Sequence, residues 1–169
     1  LVVLSLVFYY YTKEKFFLYY GIYAVLHALY FFSFYGYINI YFFPETPLLS
    51  QPLWVLQILT FAMYFAFARN FLKVKDLMPG WYKFFKILPI ILICLFTLDT
   101  LFLLTTNNLK DGIWIKNLIT LICSIIGLAF IFSFLRTRKD QAYFFAFASI
   151  FLLGTLIFVS VNYFFIQVT

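Results

Sequence analysis

Long, almost unbroken apolar runs alternate with short polar stretches along the whole chain. Runs such as 87–98 and 118–132 lack the apolar–polar alternation that a barrel strand requires. Because helices satisfy their own backbone hydrogen bonds in lipid, the pattern predicts an all-α membrane protein, a polytopic transmembrane helix bundle. The predicted spans are about 1–11, 16–34, 51–72, 84–104, 113–135 and 142–166.

Prolines and polar clusters predict where these helices end. The Pro-Glu-Thr-Pro cluster at 44–47 predicts an extended loop over 35–52. Pro79-Gly80 predicts a turn before the fourth span. Pro89 then falls in the first turns of that span, where a proline costs less than in mid-helix. The polar stretch 105–112 predicts the next turn.

The first apolar run is too short to cross a bilayer, since about ten helical residues reach only ~15 Å. The chain also begins with Leu. We therefore expect a single transmembrane domain over 1–169, cut from a longer protein, with about six spans present of a probable seven. A sensor domain upstream and an output domain downstream would lie outside this chain.

The composition supports burial in lipid. The chain is 66% hydrophobic and 11% charged, whereas a soluble domain is about half apolar and a quarter charged. Both cysteines, Cys94 and Cys123, fall inside predicted spans. We expect two buried free thiols that pack as small apolar side chains.

Basic residues orient the predicted spans. Of the 12 Lys and Arg residues, all but Lys110 and Lys116 lie in three gaps, around Lys13, around 69–86 and around 136–139. The positive-inside rule places these gaps in the cytoplasm. It places the N-terminus and the loops 35–52 and 105–112 outside. The net charge is +6, and the basic residues that produce it flank apolar helices. The predicted partner is therefore the lipid bilayer and not a nucleic acid.

Two polar residues within the predicted spans are candidates for function. Asp99 is the single acid inside a span, and it forms either a hydrated cap or interhelical hydrogen bond, or a site for a ligand or proton. His27 is the single histidine, and it is either a neutral, hydrogen-bonded histidine of the bundle or a sensor of pH or ligand. With no Cys or Glu near it, His27 does not predict a metal site.

No motif predicts catalysis. The chain has no Ser/His/Asp set, no Gly-rich phosphate loop and no paired carboxylates within the spans. We therefore expect this domain not to be an enzyme and to need no cofactor.

Residues 11–89 carry a resemblance to a known family. The segments that carry it are Tyr11-Thr-Lys-Glu-Lys-Phe-Phe-Leu-Tyr-Tyr20, Gly36, Phe43-Pro-Glu-Thr-Pro47, Phe67-Ala-Arg-Asn-Phe-Leu72 and Pro79. They resemble the membrane domain of bacterial seven-transmembrane receptors with diverse intracellular signalling modules. That family combines a charged turn before a Leu-Tyr-rich second span, a Gly at its outer end, and an Arg-x-Phe-Leu end to the third span before a Pro.

The resemblance implies a sensor in the bacterial inner membrane. It implies an extracytoplasmic ligand-binding domain before the first span and a kinase, cyclase or phosphatase after the seventh, in the same full-length chain. The sequence leaves a monomer and a homodimer open. The candidate ligand or coupling residues are His27, Gly36, Asp99, Arg69, Phe71 and Pro79.

Two alternatives remain open at this point. Arg69 either couples the third span to the output module or is an ordinary anchor at the membrane surface. The whole chain has an alternative as half of a small-molecule transporter, in which His27, Gln57 and Asn162 would supply mid-bilayer polar groups.

Overall fold

A computed structural model describes most of the chain. It describes residues 2–42, 44–45, 56–106, 109–136, 143, 145–147, 149–150, 153–154, 156–158 and 161. Its helices are α1 (Val2–Thr12), α2 (Lys15–Phe34), α3 (Tyr37–Tyr41), α4 (Leu56–Phe71), α5 (Val74–Leu77), α6 (Pro79–Thr106) and α7 (Leu109–Leu135). The described residues from 143 to 161, here called the C-terminal segment, are also helical. No strand occurs among the described residues, as the sequence predicts.

Three helices contain segments long and apolar enough to cross a membrane. These segments are Lys15–Ser33, Pro79–Phe102 and Trp114–Leu135, in α2, α6 and α7. Helix α1 is a shorter apolar helix, and α4 has 16 described residues. The helical, membrane-type architecture agrees with the prediction, whereas the count of about six spans is not confirmed.

Several predictions fall on positions that the structure does not describe. Residues 46–55, which contain part of the predicted loop and the beginning of the third span, lie outside the described residues. The same holds for 137–142 and for most of the predicted sixth span, including Asn162.

The prediction of a turn at Pro79-Gly80 was wrong, because α6 begins at Pro79. Proline suits the first position of a helix, where its missing N–H would have no intrahelical partner. The earlier beginning places Pro89 well inside α6, and not in its first turns. The predicted turn at 105–112 was also too long, since α6 continues to Thr106 and α7 begins at Leu109.

Helix α4 is the centre of the bundle. Ten of its residues are buried, including Phe61, Phe65 and the small residues Ala62 and Ala66. It packs against α2, α6 and α7, and Tyr64 stacks on Phe145 of the C-terminal segment, with 6.1 Å between ring centroids. Small side chains at 62 and 66 allow neighbouring backbones to approach closely, as is typical of membrane helices.

Some polar side chains are buried beside the apolar core, and many large apolar side chains are exposed. Ser33, Gln57, Asp99, Lys116 and Thr120 are all buried, whereas large apolar side chains cover the outside of α6 and α7. This arrangement is stable where lipid and not water surrounds the helices. The sequence predicts that both thiols are buried. Cys123 is buried, but that prediction was wrong for Cys94, which is exposed among apolar neighbours.

Left-handed backbone conformations end three of the helices. Gly36 has φ of +77° after α2, and its N–H donates to the carbonyl of Ser33 at 3.0 Å. Lys13 and Lys73 have φ of 57° and 47° after α1 and α4. These residues lie between neighbouring helices, and at Gly36 the missing Cβ removes the usual steric cost.

Candidate functional site

Asp99 lies near the Thr106 end of α6 and is 6% exposed. Both of its carboxylate oxygens are buried, and neither has a hydrogen-bond partner among the described residues. Asp99 therefore makes no interhelical hydrogen bond to a described residue. A carboxylate in this position needs an opposite charge nearby, because burial without one is costly.

Lys116 of α7 supplies that charge. Its side chain is 4% exposed, and Asp99 and Lys116 interact electrostatically across the α6–α7 interface. The Lys116 ammonium also lies over the ring of Tyr30 in α2, with Nζ 5.5 Å from the ring centroid. A cation over an aromatic face gains an attraction that strengthens when water is excluded. Asp99, Lys116 and Tyr30, here called the buried charge cluster, thus join three helices.

The inner face of α7 continues this polar environment along the helix. Lys116, Thr120 and Ser124 follow one another at intervals of four residues, which places them on one side of the helix. Asn117 lies beside them, and all four side chains are buried. The Thr120 hydroxyl donates to the carbonyl of Lys116 at 2.9 Å. The side of α7 that faces the bundle is therefore largely polar over 116–124, and it is apolar further along, where Phe130, Ile131 and Phe134 are buried.

Arg69 makes a second interhelical polar contact, from the last turn of α4 to α6. Its Nη1 donates to the carbonyl oxygen of Phe85 at 3.2 Å. That carbonyl would normally accept from the N–H of the residue four positions later, which is Pro89 and has no N–H. The guanidinium also lies over the ring of Tyr82, 5.9 Å from its centroid. Arg69 therefore joins the last turn of α4 to α6.

His27 lies on the face of α2 that packs against α4. Its ring stacks on Tyr23 at 5.4 Å between centroids and meets Phe31 edge-on at 4.7 Å. Its Nδ1 is buried and has no hydrogen-bond partner among the described residues. The predicted hydrogen bond of a neutral bundle histidine is thus not made by any described group. His27 and the buried charge cluster are separate features.

The remaining candidates have structural positions at the ends of helices. Phe71 closes α4, and its ring packs against Phe16 of α2 at 5.4 Å and Phe145 of the C-terminal segment at 6.1 Å. Gly36 turns the chain after α2, and Pro79 begins α6. The structure does not bring these three residues to the buried charge cluster.

Lys116 is the functional candidate that sequence reasoning missed. In the sequence it counted only as a basic residue outside the three basic gaps, yet it lies on the buried face of α7. The available signal was its position four residues before Thr120 and eight before Ser124 in an otherwise apolar helix. Among the described residues, no group of three or more His, Cys, Asp or Glu side chains is arranged to hold a metal ion.

Span-length apolar helices with buried charges between them define this chain as a helical membrane domain. The chain belongs to the family described as 7TM diverse intracellular signalling, whose sequence model matches residues 1–169. This match confirms the resemblance found in residues 11–89 and extends it to the whole chain. No curated protein and no solved structure matches this chain.

Proposed function

We propose that this domain receives an extracytoplasmic signal in the bacterial inner membrane and relays it to a cytoplasmic output module. The observation that carries the proposal is membership in a family of seven-helix sensory domains of signalling receptors. In this proposal the domain itself is not an enzyme. A sensor domain and a kinase, cyclase or phosphatase module of the same full-length chain are its partners.

The proposed orientation follows the basic residues. The residues around Lys73 and Arg136 lie on the cytoplasmic side, and Gly36 and the N-terminus lie outside. Asp99 and Lys116 then belong to the extracytoplasmic half of the bundle, and Arg69 belongs to the cytoplasmic half. Reporter fusions after Gly36 and after Lys75 test this: alkaline phosphatase is active only after Gly36, and the opposite result contradicts the orientation.

Helix α6 is the proposed connection between the two halves. It bears Asp99 near one end and the Phe85 carbonyl nearer the other, about 21 Å apart at 1.5 Å per residue. Asp99 interacts electrostatically with Lys116 of α7, and the Phe85 carbonyl accepts a hydrogen bond from Arg69 of α4. A signal that favours a different packing of α6 against α7 therefore also changes the contact with α4. Relay of this kind requires two packings separated by a modest free energy.

The test uses the full-length receptor with its output module and measures output activity with and without stimulus. Asp99→Asn and Lys116→Met each alter the difference between stimulated and unstimulated activity, and the double variant restores part of it. Lys75→Met is the matched control, because Lys75 is an exposed lysine outside the candidate spans. Unchanged output when the whole domain is replaced by one inert span contradicts the relay.

A further inference from the structure

An apolar groove lies on the surface of the bundle between α6 and α7. The residues that line it, here called the α6–α7 groove, are Gly80, Trp81, Phe84, Ile125, Ile126 and Ala129. Its volume is about 460 Å³, within the range of about 300–1,000 Å³ that is usual for ligand pockets. Phe84 and Ile125 are 42% and 54% exposed. The surrounding lipid therefore has direct access to the groove.

A missing side chain leaves the groove open at Gly80. A Cβ atom at that position would have no other atom within 4 Å. Deeper in the bundle the two helices are in contact, because the ring of Trp81 meets that of Phe130 edge-on, with 5.4 Å between centroids. The groove is thus a gap on the outside of a closed interface.

The groove begins near a membrane surface and extends to about the middle of the bilayer. Gly80 is near the beginning of the candidate span Pro79–Phe102, and Leu135 ends the candidate span Trp114–Leu135. Ile125 lies ten residues before Leu135, about 15 Å at 1.5 Å per helical residue. That length is half of the hydrocarbon core, which is about 30 Å thick. One leaflet of lipid therefore matches the groove in length.

Two exposed basic residues lie at the surface end of the groove. Lys83 is in the second turn of α6, and Arg136 directly follows α7. Arg136 comes seven residues after Ala129, which is two helical turns, so it continues the side of α7 that lines the groove. The segment 69–86 as a whole carries five basic residues and one acid. This end of the groove is therefore positively charged.

The beginning of α6 adds a further attraction for anions. Gly80 and Trp81 are its second and third residues, and backbone N–H groups at these positions have no intrahelical acceptor. The helix dipole places partial positive charge at the same end. Groups that favour an anion thus lie at the surface end of an apolar groove that is one leaflet long.

We infer that the α6–α7 groove binds one anionic phospholipid. An acyl chain lies along Phe84, Ile125 and Ala129, and the phosphate lies near Arg136, Lys83 and the beginning of α6. A guanidinium binds phosphate through two parallel hydrogen bonds. A zwitterionic lipid is less suited, because its own cation faces the same basic residues. An apolar helix of a second copy would fill the groove but would leave those residues without an opposite charge.

Trp81 lines the groove, so its fluorescence reports the occupant. The chain has three tryptophans, and a protein with Trp54→Phe and Trp114→Phe retains only Trp81. This protein is placed in phosphatidylcholine bilayers that contain increasing fractions of a lipid with brominated chains, which quench tryptophan. Brominated phosphatidylglycerol is expected to bind at least about threefold more tightly than brominated phosphatidylcholine.

Two other results would overturn the inference. Equal quenching by the two brominated lipids means that only ordinary surrounding lipid covers the groove. No quenching by either lipid means that a second copy, or a segment of this chain outside the described residues, covers it.

Charge variants separate this site from general attraction to a basic surface. The pair Arg136→Gln and Lys83→Gln is expected to abolish the preference for phosphatidylglycerol. The matched control is the pair Lys13→Gln and Lys15→Gln, which removes two exposed lysines before α2 and at its beginning, away from the groove. The control should keep the preference. An equal loss in both pairs overturns the inference.

Filling the groove gives an independent readout that leaves the charges unchanged. Gly80→Leu places a side chain in open space, so it is expected to fold and to weaken binding of brominated phosphatidylglycerol at least about threefold through lost chain contacts. Gly80→Ala adds only a methyl group and is the control. Unchanged binding in a folded Gly80→Leu protein contradicts the site. These results do not depend on whether the domain relays a signal.

Discussion

The Arg69 guanidinium donates a hydrogen bond to the carbonyl oxygen of Phe85, with 3.2 Å between Nη1 and O. Phe85 is fully buried, and its carbonyl lacks an intrahelical donor because Pro89 has no N–H. A proline inside α6 and an arginine at the end of α4 therefore compensate one another. The pair explains how α6 keeps helical structure through Pro89 without leaving the Phe85 carbonyl unpaired.

The first prediction concerns this compensation. Arg69→Ala is expected to lower the free energy of unfolding by about 1–3 kcal/mol, because it leaves the Phe85 carbonyl unpaired. In a Pro89→Ala protein, the backbone N–H of Ala at position 89 can donate to the Phe85 carbonyl. Arg69→Ala in that protein should therefore lower the free energy of unfolding by at least about 1 kcal/mol less than it does in the original protein. Unfolding by SDS in mixed micelles measures both values. Arg136→Ala, an exposed arginine after α7, is the control, and additive effects of the two substitutions would contradict the prediction.

The second prediction concerns the buried charge cluster. Asp99→Asn or Lys116→Met alone leaves one buried charge without its opposite, so either is expected to destabilise the bundle by about 3–5 kcal/mol. The double variant should be more stable than either single variant, because it buries no charge at these positions. Thermal unfolding of the four proteins in the same lipid mixture measures the difference. A double variant that is as unstable as the sum of the single variants would exclude the interaction.

The third prediction compares two glycines. Gly36 has φ of +77°, so Gly36→Ala is expected to cost about 1–2 kcal/mol from the left-handed backbone alone. Gly80 lies in α6 with open space around its Cβ position. Gly80→Ala should be neutral or slightly stabilising, since alanine favours a helix by up to about 1 kcal/mol. Equal effects of the two substitutions on the free energy of unfolding would contradict the role of Gly36.

The fourth prediction concerns the surface that faces lipid. Cys94 is exposed within the candidate span of α6. A spin label at this position should therefore be more accessible to oxygen, which concentrates in lipid, than to a water-soluble nickel complex. The measurement is EPR power saturation in a Cys123→Ala protein, which has one remaining thiol. The control is a label at position 75 in α5, in a protein with the substitutions Lys75→Cys, Cys94→Ser and Cys123→Ala. This label should be more accessible to the nickel complex than to oxygen. Greater access of the nickel complex to position 94 would contradict burial of this surface in lipid.

The sequence determined the class of structure, because helix formation in lipid depends mainly on local apolar length. Long apolar runs predicted α2 with boundaries close to those observed, and α7 from its apolar part. The segments around Gly36 and Arg69 identified the family. The sequence did not give the beginning of α6, because Pro79 is equally compatible with a turn and with the first position of a helix.

Only the tertiary structure decided which polar residues meet. Asp99 and Lys116 are near each other in sequence, but the contact of Lys116 with Tyr30 and that of Arg69 with the Phe85 carbonyl depend on how the helices are rotated and arranged around α4. An apolar helix carries little information about its own rotation, because lipid and a neighbouring helix are both apolar environments. The sequence thus determined that helices form in a membrane, and packing decided which of their few polar side chains face one another.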